Sequence, residues 1–353
     1  MKIRVIFLEE DANYIERIVS VFNSKYSDKL QVFSFTNKAK ALEAAKAHKV
    51  NVFVAGDEFE IEESDLPNRC TLAYLVDGMV SVNNDEHPTI NKYQKVEMIY
   101  KQILSIYSEA AGNIGSMSES KEGTNVIWFT SFSGGCGNST LAAAYSIYLS
   151  SQGKKTMYLN LEKNGDPEVF FTGDGQYSMS DIIYTLKSGK GNLAMKIESS
   201  VRISEEGVYY IAAPNVALDF LELNTEEVVR LVNTIIRENG YDFVILDAPF
   251  DYGKLSEKLW EESDRVAIVL DGNENSISKF EKSYHVVNIL GQQRDVYNPI
   301  KAKMIYNKFS NKTGRMLTDL DIETVGGIPK LENANNQQIV HHVVGVDVWN
   351  KLY

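Results

Sequence analysis

A glycine-rich segment between a strand-like run and a helix-like run could hold phosphate groups. Asn125–Thr130 is rich in β-branched and aromatic residues, which predicts a strand, and a helix is expected from residue 139 to about residue 152. Glycines let backbone N–H groups approach an anion, and a helix N-terminus adds positive potential. The Ser139 hydroxyl would ligate a Mg²⁺ ion bridging two phosphates. The expected phosphate-binding residues are Gly134, Gly135, Cys136, Gly137, Asn138, Ser139 and Thr140.

This loop resembles that of the deviant Walker A ATPases of the ParA/MinD family, apart from two lysines. Ser133 stands at the position of the signature lysine, which in the family reaches across a dimer to the partner's phosphates. Asn138 stands at the position of the loop lysine. The resemblance implies that ATP and Mg²⁺ are bound and that a homodimer forms through the ATP-binding domain.

Three later segments carry the same resemblance, which covers roughly residues 125–353. Residues 241–249 resemble the Walker B strand, in which Asp247 would hold Mg²⁺ through a water molecule. Asn160 and Glu162 fall on the two acidic positions of the family's Asp-x-Asp segment. Glu162 is therefore the candidate catalytic residue, expected to orient the attacking water, and the alternative is a solvated loop carboxylate. Asn307 resembles the asparagine that pairs with the adenine edge.

Losing both lysines is expected to affect hydrolysis more than binding. Cations that stabilise charge on the γ-phosphate accelerate phosphoryl transfer by orders of magnitude. Backbone amides and Mg²⁺ would still bind the nucleotide, and Asn138 can donate a neutral hydrogen bond to a phosphate. We therefore expect a low-activity ATPase at most. The lysines that could act as substitute cations, although more simply interpreted as surface residues, are Lys163, Lys187, Lys190 and Lys308.

The first 108 residues predict a separate domain. Strand-like and helix-like runs alternate there, which predicts a doubly wound parallel sheet. Residues 109–124 are rich in Gly, Ser and charged residues, as in a linker. The strands and helices surrounding the glycine loop alternate in the same way. We therefore predict an α/β protein with two doubly wound parallel-sheet domains, at residues 1–108 and 125–353.

The first domain resembles the receiver domains of response regulators, which have a CheY fold. Its acidic residues after the first strand are Glu9, Glu10 and Asp11. Gly56 occupies the phosphoacceptor position, and Asp57 comes one residue late. Asp77 stands where a small hydroxyl residue is expected, and Lys92 lies near the family's lysine position. A receiver fold that serves as a binding module without phosphorylation is the favoured interpretation, with Asp57 as an acceptor the alternative.

Composition limits the classes of function. A net charge of −12 argues against strong nucleic-acid binding, because such proteins concentrate Lys and Arg on one face. The two cysteines, Cys70 and Cys136, form no disulfide framework or four-thiolate metal site. No apolar run approaches the roughly 18 residues of a membrane helix. We expect a cytoplasmic protein without direct membrane insertion.

The combination of both domains resembles the TadZ/CpaE proteins of tight-adherence pilus loci. This resemblance implies an ATP-dependent dimerisation switch and scaffold, often placed at a cell pole, which recruits other pilus-assembly proteins through its receiver-like domain. Two alternatives remain open: an active partitioning ATPase of the ParA/MinD type, and a phosphorylation-controlled response regulator with an ATP-binding output domain.

Overall fold

The chain is organised as two compact units. The computed structural model describes residues 2–78, 87–110, 123–238, 240–294, 296–318 and 320–353. One unit comprises Met1–Ser116 with Thr185–Ser199, and the other comprises Met117–Tyr184 with Ser200–Tyr353. The division after residue 116 falls within the predicted linker, of which positions 111–122 lie outside the described residues. The grouping of Thr185–Ser199 with the first unit has no counterpart in the predicted boundaries.

The first unit contains a five-stranded parallel sheet with the strand order β2-β1-β3-β4-β5. Alternate residues of its first strand enter different cores: Val5 and Phe7 pack in one, Ile6 and Leu8 in the other. Both faces of the sheet are therefore covered, as a doubly wound fold requires. Its strands and helices are β1 (Ile3–Leu8), α1 (Ala12–Lys25), β2 (Leu30–Phe35), α2 (Lys38–His48), β3 (Val52–Gly56), β4 (Thr71–Val76), β5 (Thr89–Asn91) and α3 (Val96–Ala110).

The second sheet has eight strands in the order β13-β12-β11-β6-β10-β7-β9-β8. From residue 125 onward, the strands are β6 (Asn125–Thr130), β7 (Thr156–Asn160), β8 (Val201–Ile203), β9 (Tyr209–Ile211), β10 (Phe243–Asp247), β11 (Arg265–Leu270), β12 (Ala302–Phe309) and β13 (Glu323–Pro329). The helices are α4 (Asn138–Ser151), α5 (Met179–Ser188), α6 (Leu193–Ser200), α7 (Ala217–Leu221), α8 (Thr225–Glu238), α9 (Lys254–Glu262), α10 (Glu274–Arg294) and α11 (Asn336–Val344).

These sheets confirm the predicted α/β class with two mainly parallel sheets. One edge differs, because β8 pairs antiparallel with β9. β5 and β8 each have only three residues, too few for a period-two pattern to indicate a strand. In the described part of the chain, no helix is both long enough and apolar enough to cross a membrane.

The register of three neighbouring strands determines which side chains meet at the edge of the second sheet. β10 lies between β6 and β7, with Asp247 level with Phe129 on one side and Asn160 on the other. Because all three strands are parallel, their carboxyl ends reach the same edge, where ligands of such sheets usually bind. Asn160 and Asp247 therefore face the glycine loop that follows β6.

Candidate functional site

The glycine loop joins the end of β6 to the start of α4. Gly135 and Gly137 have φ angles of 80° and 84°, a left-handed conformation that glycine adopts without a steric penalty. Among the described residues, no side chain caps α4 at Gly137. The first N–H groups of the helix therefore remain available for an anion. The glycine loop and the open helix N-terminus are present, and their binding of phosphate stays a prediction.

A cavity of about 470 Å³ opens over this loop. All seven residues predicted to contact phosphates line it, together with the candidate catalytic residue Glu162. Pro249 and Phe250, which follow β10, form an apolar part of the wall. The cavity has the size of a small-molecule site, and its polar side is the helix N-terminus.

Asn138 points away from the expected phosphate position. Its Nδ2 donates to Oδ1 of Asp247 at 2.7 Å and to the carbonyl oxygen of Phe129 at 3.1 Å. Both amide hydrogens are thus used inside the protein, and Oδ1 is a buried acceptor without a partner among the described residues. The expectation that Asn138 donates to a phosphate oxygen does not hold in this arrangement.

Asp247 is completely buried and accepts hydrogen bonds from neutral donors. Its Oδ2 accepts from the Tyr158 hydroxyl at 2.6 Å and from Nδ2 of Asn160 at 3.0 Å. The Ser139 hydroxyl lies close enough to Asp247 to influence the pKa of its carboxyl. Burial raises the pKa of the Asp247 carboxyl from its ordinary value near 3.8 to about 7, although the side chains of Tyr158, Ser139 and Asn138 lower it.

The surroundings of Asp247 leave room for the predicted Mg²⁺ site. A carboxylate has about four lone-pair positions. Here Asn138, Tyr158 and Asn160 supply three donors, which leaves one position on Oδ1 for a metal-bound water. The Ser139 hydroxyl keeps its oxygen lone pairs for a metal ion even where its proton is donated. The Mg²⁺ expected to be held by Ser139 directly and by Asp247 through water therefore stays a prediction that these residues fit.

Tyr158 was not singled out from the sequence. It lies two residues before Asn160 on β7, so both side chains leave the strand on the same face. Burial is the largest cause of its raised pKa, followed by the charge of Asp247. The sequence did offer a signal for Tyr158. It is a polar aromatic residue in a buried strand, and its spacing of two residues puts it on the same face as Asn160.

Two further predicted residues contact the loop or its neighbours. The Asn307 side chain is buried and its Nδ2 donates to the carbonyl oxygen of Cys136 at 2.8 Å, so its amide holds the loop. Its pairing with adenine stays a prediction. Glu162 is half-buried, and its backbone N–H donates to Oδ1 of Asn160 at 3.0 Å. The negative charge of Glu162 also raises the pKa of Asp247.

Ser133, at the signature-lysine position, faces the protein interior. Its hydroxyl lies 3.0 Å from Sγ of Cys136 and 3.1 Å from Oγ of Ser276 on α10. Of the four lysines considered as substitute cations, Lys308 lines the cavity. Its ammonium group donates to the carbonyl oxygen of Gly135 at 2.9 Å.

The receiver-like unit has a charged cluster where phosphorylation pockets occur. Nζ of Lys92 lies 3.0 Å from Oε2 of the buried Glu9 and 3.2 Å from Oδ1 of Asp77. Burial lowers the pKa of Lys92, but the two carboxylates raise it more, so the net change is upward. The ammonium group of Lys92 therefore neutralises Glu9.

The place of the missing phosphoacceptor is taken by another side chain. A Cβ atom at Gly56 would clash with the carboxylate oxygens of Glu58. The same carboxylate accepts from the N–H of Glu10 at 3.3 Å. Asp57 is exposed at the end of β3. Glu58 therefore occupies the space above Gly56 that an acceptor side chain would need.

Comparisons with known proteins agree with the fold of the chain. Residues 1–108 match the TadZ-like receiver domain family. A ParA family ATPase from Chlorobium tepidum TLS has a similar structure, with a TM-score of 0.51 and 18% identity over 65% of this chain and 96% of that chain. At this identity the likeness shows the fold alone. No curated protein matches the chain significantly.

Two other solved structures are similar over the same region. The septum site-determining protein MinD complexed with Mg-ADP from Pyrococcus horikoshii OT3 has a TM-score of 0.47 and 14% identity, over 63% of this chain and 94% of that chain. The MinC:MinD cell division protein complex from Aquifex aeolicus has a TM-score of 0.47 and 19% identity, over 65% of this chain and 96% of that chain.

Proposed function

Since this chain joins a TadZ-like receiver domain to a domain with the ParA fold, the architecture of the TadZ/CpaE proteins, we propose that it is a nucleotide-controlled scaffold for tight-adherence pilus assembly. ATP binding in the second unit favours a homodimer, and the receiver-like unit recruits other pilus-assembly proteins. The protein acts in the cytoplasm, at a cell pole.

The observation that carries this proposal is the commitment of Asn138 to the protein interior. A phosphate loop with free helix N–H groups can bind a nucleotide. Transfer of the γ-phosphoryl group additionally needs cations placed where charge develops. Neither Asn138, which is bonded to Asp247 and Phe129, nor the uncharged Ser133 supplies one. The ATP-bound state is therefore long-lived, as a scaffold requires.

The receiver-like unit supports the recruiting role through its charge arrangement. The ion pair between Lys92 and Glu9 and the carboxylate of Glu58 above Gly56 hold the pocket without a phosphoryl group. The unit then presents one constant surface to its partners. The switch consequently lies in the nucleotide-binding unit.

Sedimentation of the full-length protein tests the proposal, with and without ATP, in buffer containing Mg²⁺ throughout. Phosphate release is measured on the same samples. We expect a dimer that forms with ATP and persists, with turnover far below one per minute (on the order of 10⁻³ s⁻¹ or less, against roughly 1–10³ s⁻¹ for typical enzymes). A monomer that is indifferent to nucleotide, or rapid turnover with a short-lived dimer, would contradict it.

A further inference from the structure

We propose that an exposed apolar patch on the second unit binds a partner protein through a basic amphipathic helix of that partner. The patch consists of Val216, Leu218 and Leu221, which lie in α7 and immediately before it. It belongs to the nucleotide-binding unit, so it adds a docking surface to the recruiting role proposed for the receiver-like unit.

The three side chains of the patch are large and aliphatic, yet all are exposed. Their exposed fractions are 56% for Val216, 58% for Leu218 and 50% for Leu221. Single exposed apolar residues are common on protein surfaces, but a group of them so close together marks an interaction site. Leu218 and Leu221 are three positions apart on a helix, so they lie on the same face.

The protein holds this segment in place beneath the patch. Phe220, between the two leucines in the chain, is buried. Oγ of Ser180 on α5 donates to Oδ2 of Asp219 at 2.5 Å and accepts from the N–H of Asn215 at 2.9 Å. The patch is therefore a fixed surface, which reduces the entropy lost when a partner binds.

The charge around the patch favours a basic partner. Residues 211–229 contain no Lys or Arg but four acidic residues, which are Asp219, Glu222, Glu226 and Glu227. Glu222 and Glu226 are exposed. Lys and Arg side chains that flank an apolar stripe on the partner would meet these carboxylates, and complementary charges select the partner and speed its association.

Two other occupants of an apolar patch carry the wrong charge. In a two-fold dimer, a second copy of this chain would bring the same acidic segment against itself, because such a contact joins one surface to its equivalent. Anionic lipids attract basic segments and repel this acidic one. A helix with apolar residues on one face and Lys or Arg beside them matches both the patch and its surroundings.

The position of the patch relates it to the nucleotide site. β9 runs parallel to β7, with Tyr210 level with Tyr158. The chain therefore leaves β9 at the same edge of the sheet as Asn160, and the patch follows within a few residues. A partner bound there lies at the edge of the sheet that carries the glycine loop.

Fluorescence anisotropy with the full-length protein tests the inference, with a labelled synthetic helix as the probe. The probe has about 15 residues, with Leu at helical spacing on one face and Lys elsewhere. We expect a Kd on the order of 10 μM, which Leu218→Ser/Leu221→Ser should weaken about 10-fold. The matched control, Ile300→Ser, removes an aliphatic side chain that is 79% exposed in the same unit and should leave Kd unchanged.

A second arm of the experiment tests the charge of the partner. Glu222→Gln/Glu226→Gln should weaken binding of the lysine probe about threefold, and this difference should shrink as salt is added. A probe with Glu in place of Lys should bind at least about 10-fold more weakly than the lysine probe. Equal affinities of the two probes overturn the assignment of a basic partner.

The remaining outcomes concern the patch itself. Equal affinities of wild type and Leu218→Ser/Leu221→Ser for the lysine probe overturn the inference. Co-sedimentation of wild type, but not of this variant, with phosphatidylcholine vesicles containing phosphatidylserine would assign the patch to a membrane instead. Self-association without nucleotide that the variant loses would assign it to a second copy. Either result also overturns the inference.

Unfolding midpoints followed by tryptophan fluorescence show whether each variant is folded. The substituted leucines are exposed, so we expect the midpoint of the double variant to match that of wild type. If its midpoint falls, Val216→Ser provides the same comparison, with an expected loss of affinity of about threefold. Unchanged affinity in Val216→Ser would then overturn the inference.

Discussion

Nδ2 of Asn138 lies 2.7 Å from Oδ1 of Asp247, joining the first turn of α4 to the end of β10. The deviant Walker A loop that this segment resembles has a lysine at the same position. In this protein the residue stabilises the loop through a buried amide–carboxyl contact. The stability of the nucleotide-binding unit should therefore depend on Asn138.

Asn138→Ala should reduce the free energy of unfolding by about 3 kcal/mol. It leaves Oδ1 of Asp247 and the carbonyl oxygen of Phe129 without this donor, and unpaired buried groups cost about 1–3 kcal/mol each. Urea unfolding followed by tryptophan fluorescence measures this free energy of unfolding, because Trp128, Trp260 and Trp349 all lie in the second unit. The control Asn311→Ala, at an exposed turn, should change stability by less than about 0.5 kcal/mol. Equal effects of both variants would contradict the structural role.

Asn138→Lys should strengthen ATP binding more than it restores turnover. A lysine adds a charge-assisted hydrogen bond to a phosphate that the Asn138 amide, bonded to Asp247 and Phe129, does not make, so we expect Kd to fall about 10-fold. Turnover should rise less, because Ser133 remains uncharged and faces Ser276. Calorimetry and phosphate release give the two values. The double variant Ser133→Lys/Asn138→Lys is the comparison. If Asn138→Lys alone hydrolysed ATP as fast as the double variant, the expectation that Ser133 limits turnover would be wrong.

Stability should depend on pH through Asp247. Its folded pKa of about 7 exceeds the ordinary value of 3.8, so between these values the folded state binds more protons than the unfolded state. The contribution of Asp247 to the free energy of unfolding is therefore fully present below about pH 4 and falls as pH rises to 7. At 1.36 kcal/mol per pKa unit, the total change is about 4 kcal/mol.

Asp247→Asn removes this titration. The stability of the variant minus that of wild type should increase by about 4 kcal/mol from pH 4 to pH 8, whatever its value at pH 4. Urea unfolding at a series of pH values, followed by tryptophan fluorescence, measures the difference. Asp347→Asn, at an exposed position, is the control and should give a nearly flat difference. A flat profile for Asp247→Asn would refute the raised pKa.

In the receiver-like unit, Lys92→Met should destabilise the sheet by about 3 kcal/mol. It leaves the buried carboxylate of Glu9 without its cation, and breaking a buried pair by removing one partner costs about 3–5 kcal/mol. Hydrogen exchange of peptides covering β1 and β4 should accelerate accordingly. Lys40→Met, on the exposed face of α2, should leave exchange unchanged. Adding Glu9→Gln to Lys92→Met should recover part of the loss; no recovery would argue against the ion pair.

A small phosphodonor such as acetyl phosphate should leave the intact mass of the protein unchanged. Glu58 fills the space above Gly56, and Lys92 is already paired with Glu9, so the exposed Asp57 lacks the pocket needed for phosphorylation. Mass spectrometry after incubation with Mg²⁺ gives the result. A mass increase of one phosphoryl group that disappears in Asp57→Asn would restore the response-regulator alternative.

Local sequence patterns were sufficient for the fold class and for the phosphate loop. The alternation of apolar runs predicts both parallel sheets, and β6 has the predicted bounds Asn125–Thr130. The glycines between β6 and α4 predict the cradle, because positive φ angles and an open helix N-terminus arise within a few residues of one another. These features depend on neighbours in the chain.

The partner of each polar side chain could not be obtained in this way. Asn138 as a phosphate donor and Asp247 as a metal ligand were expected from the resemblance to the deviant Walker A ATPases. Their mutual hydrogen bond depends instead on strand register, which places Asp247 level with Phe129 and Asn160. Hydrogen bonds between residues about 90 to 110 positions apart depend on how three strands align, and on burial that no local pattern reports. The chain order thus specifies the loop, and packing specifies what the loop can bind.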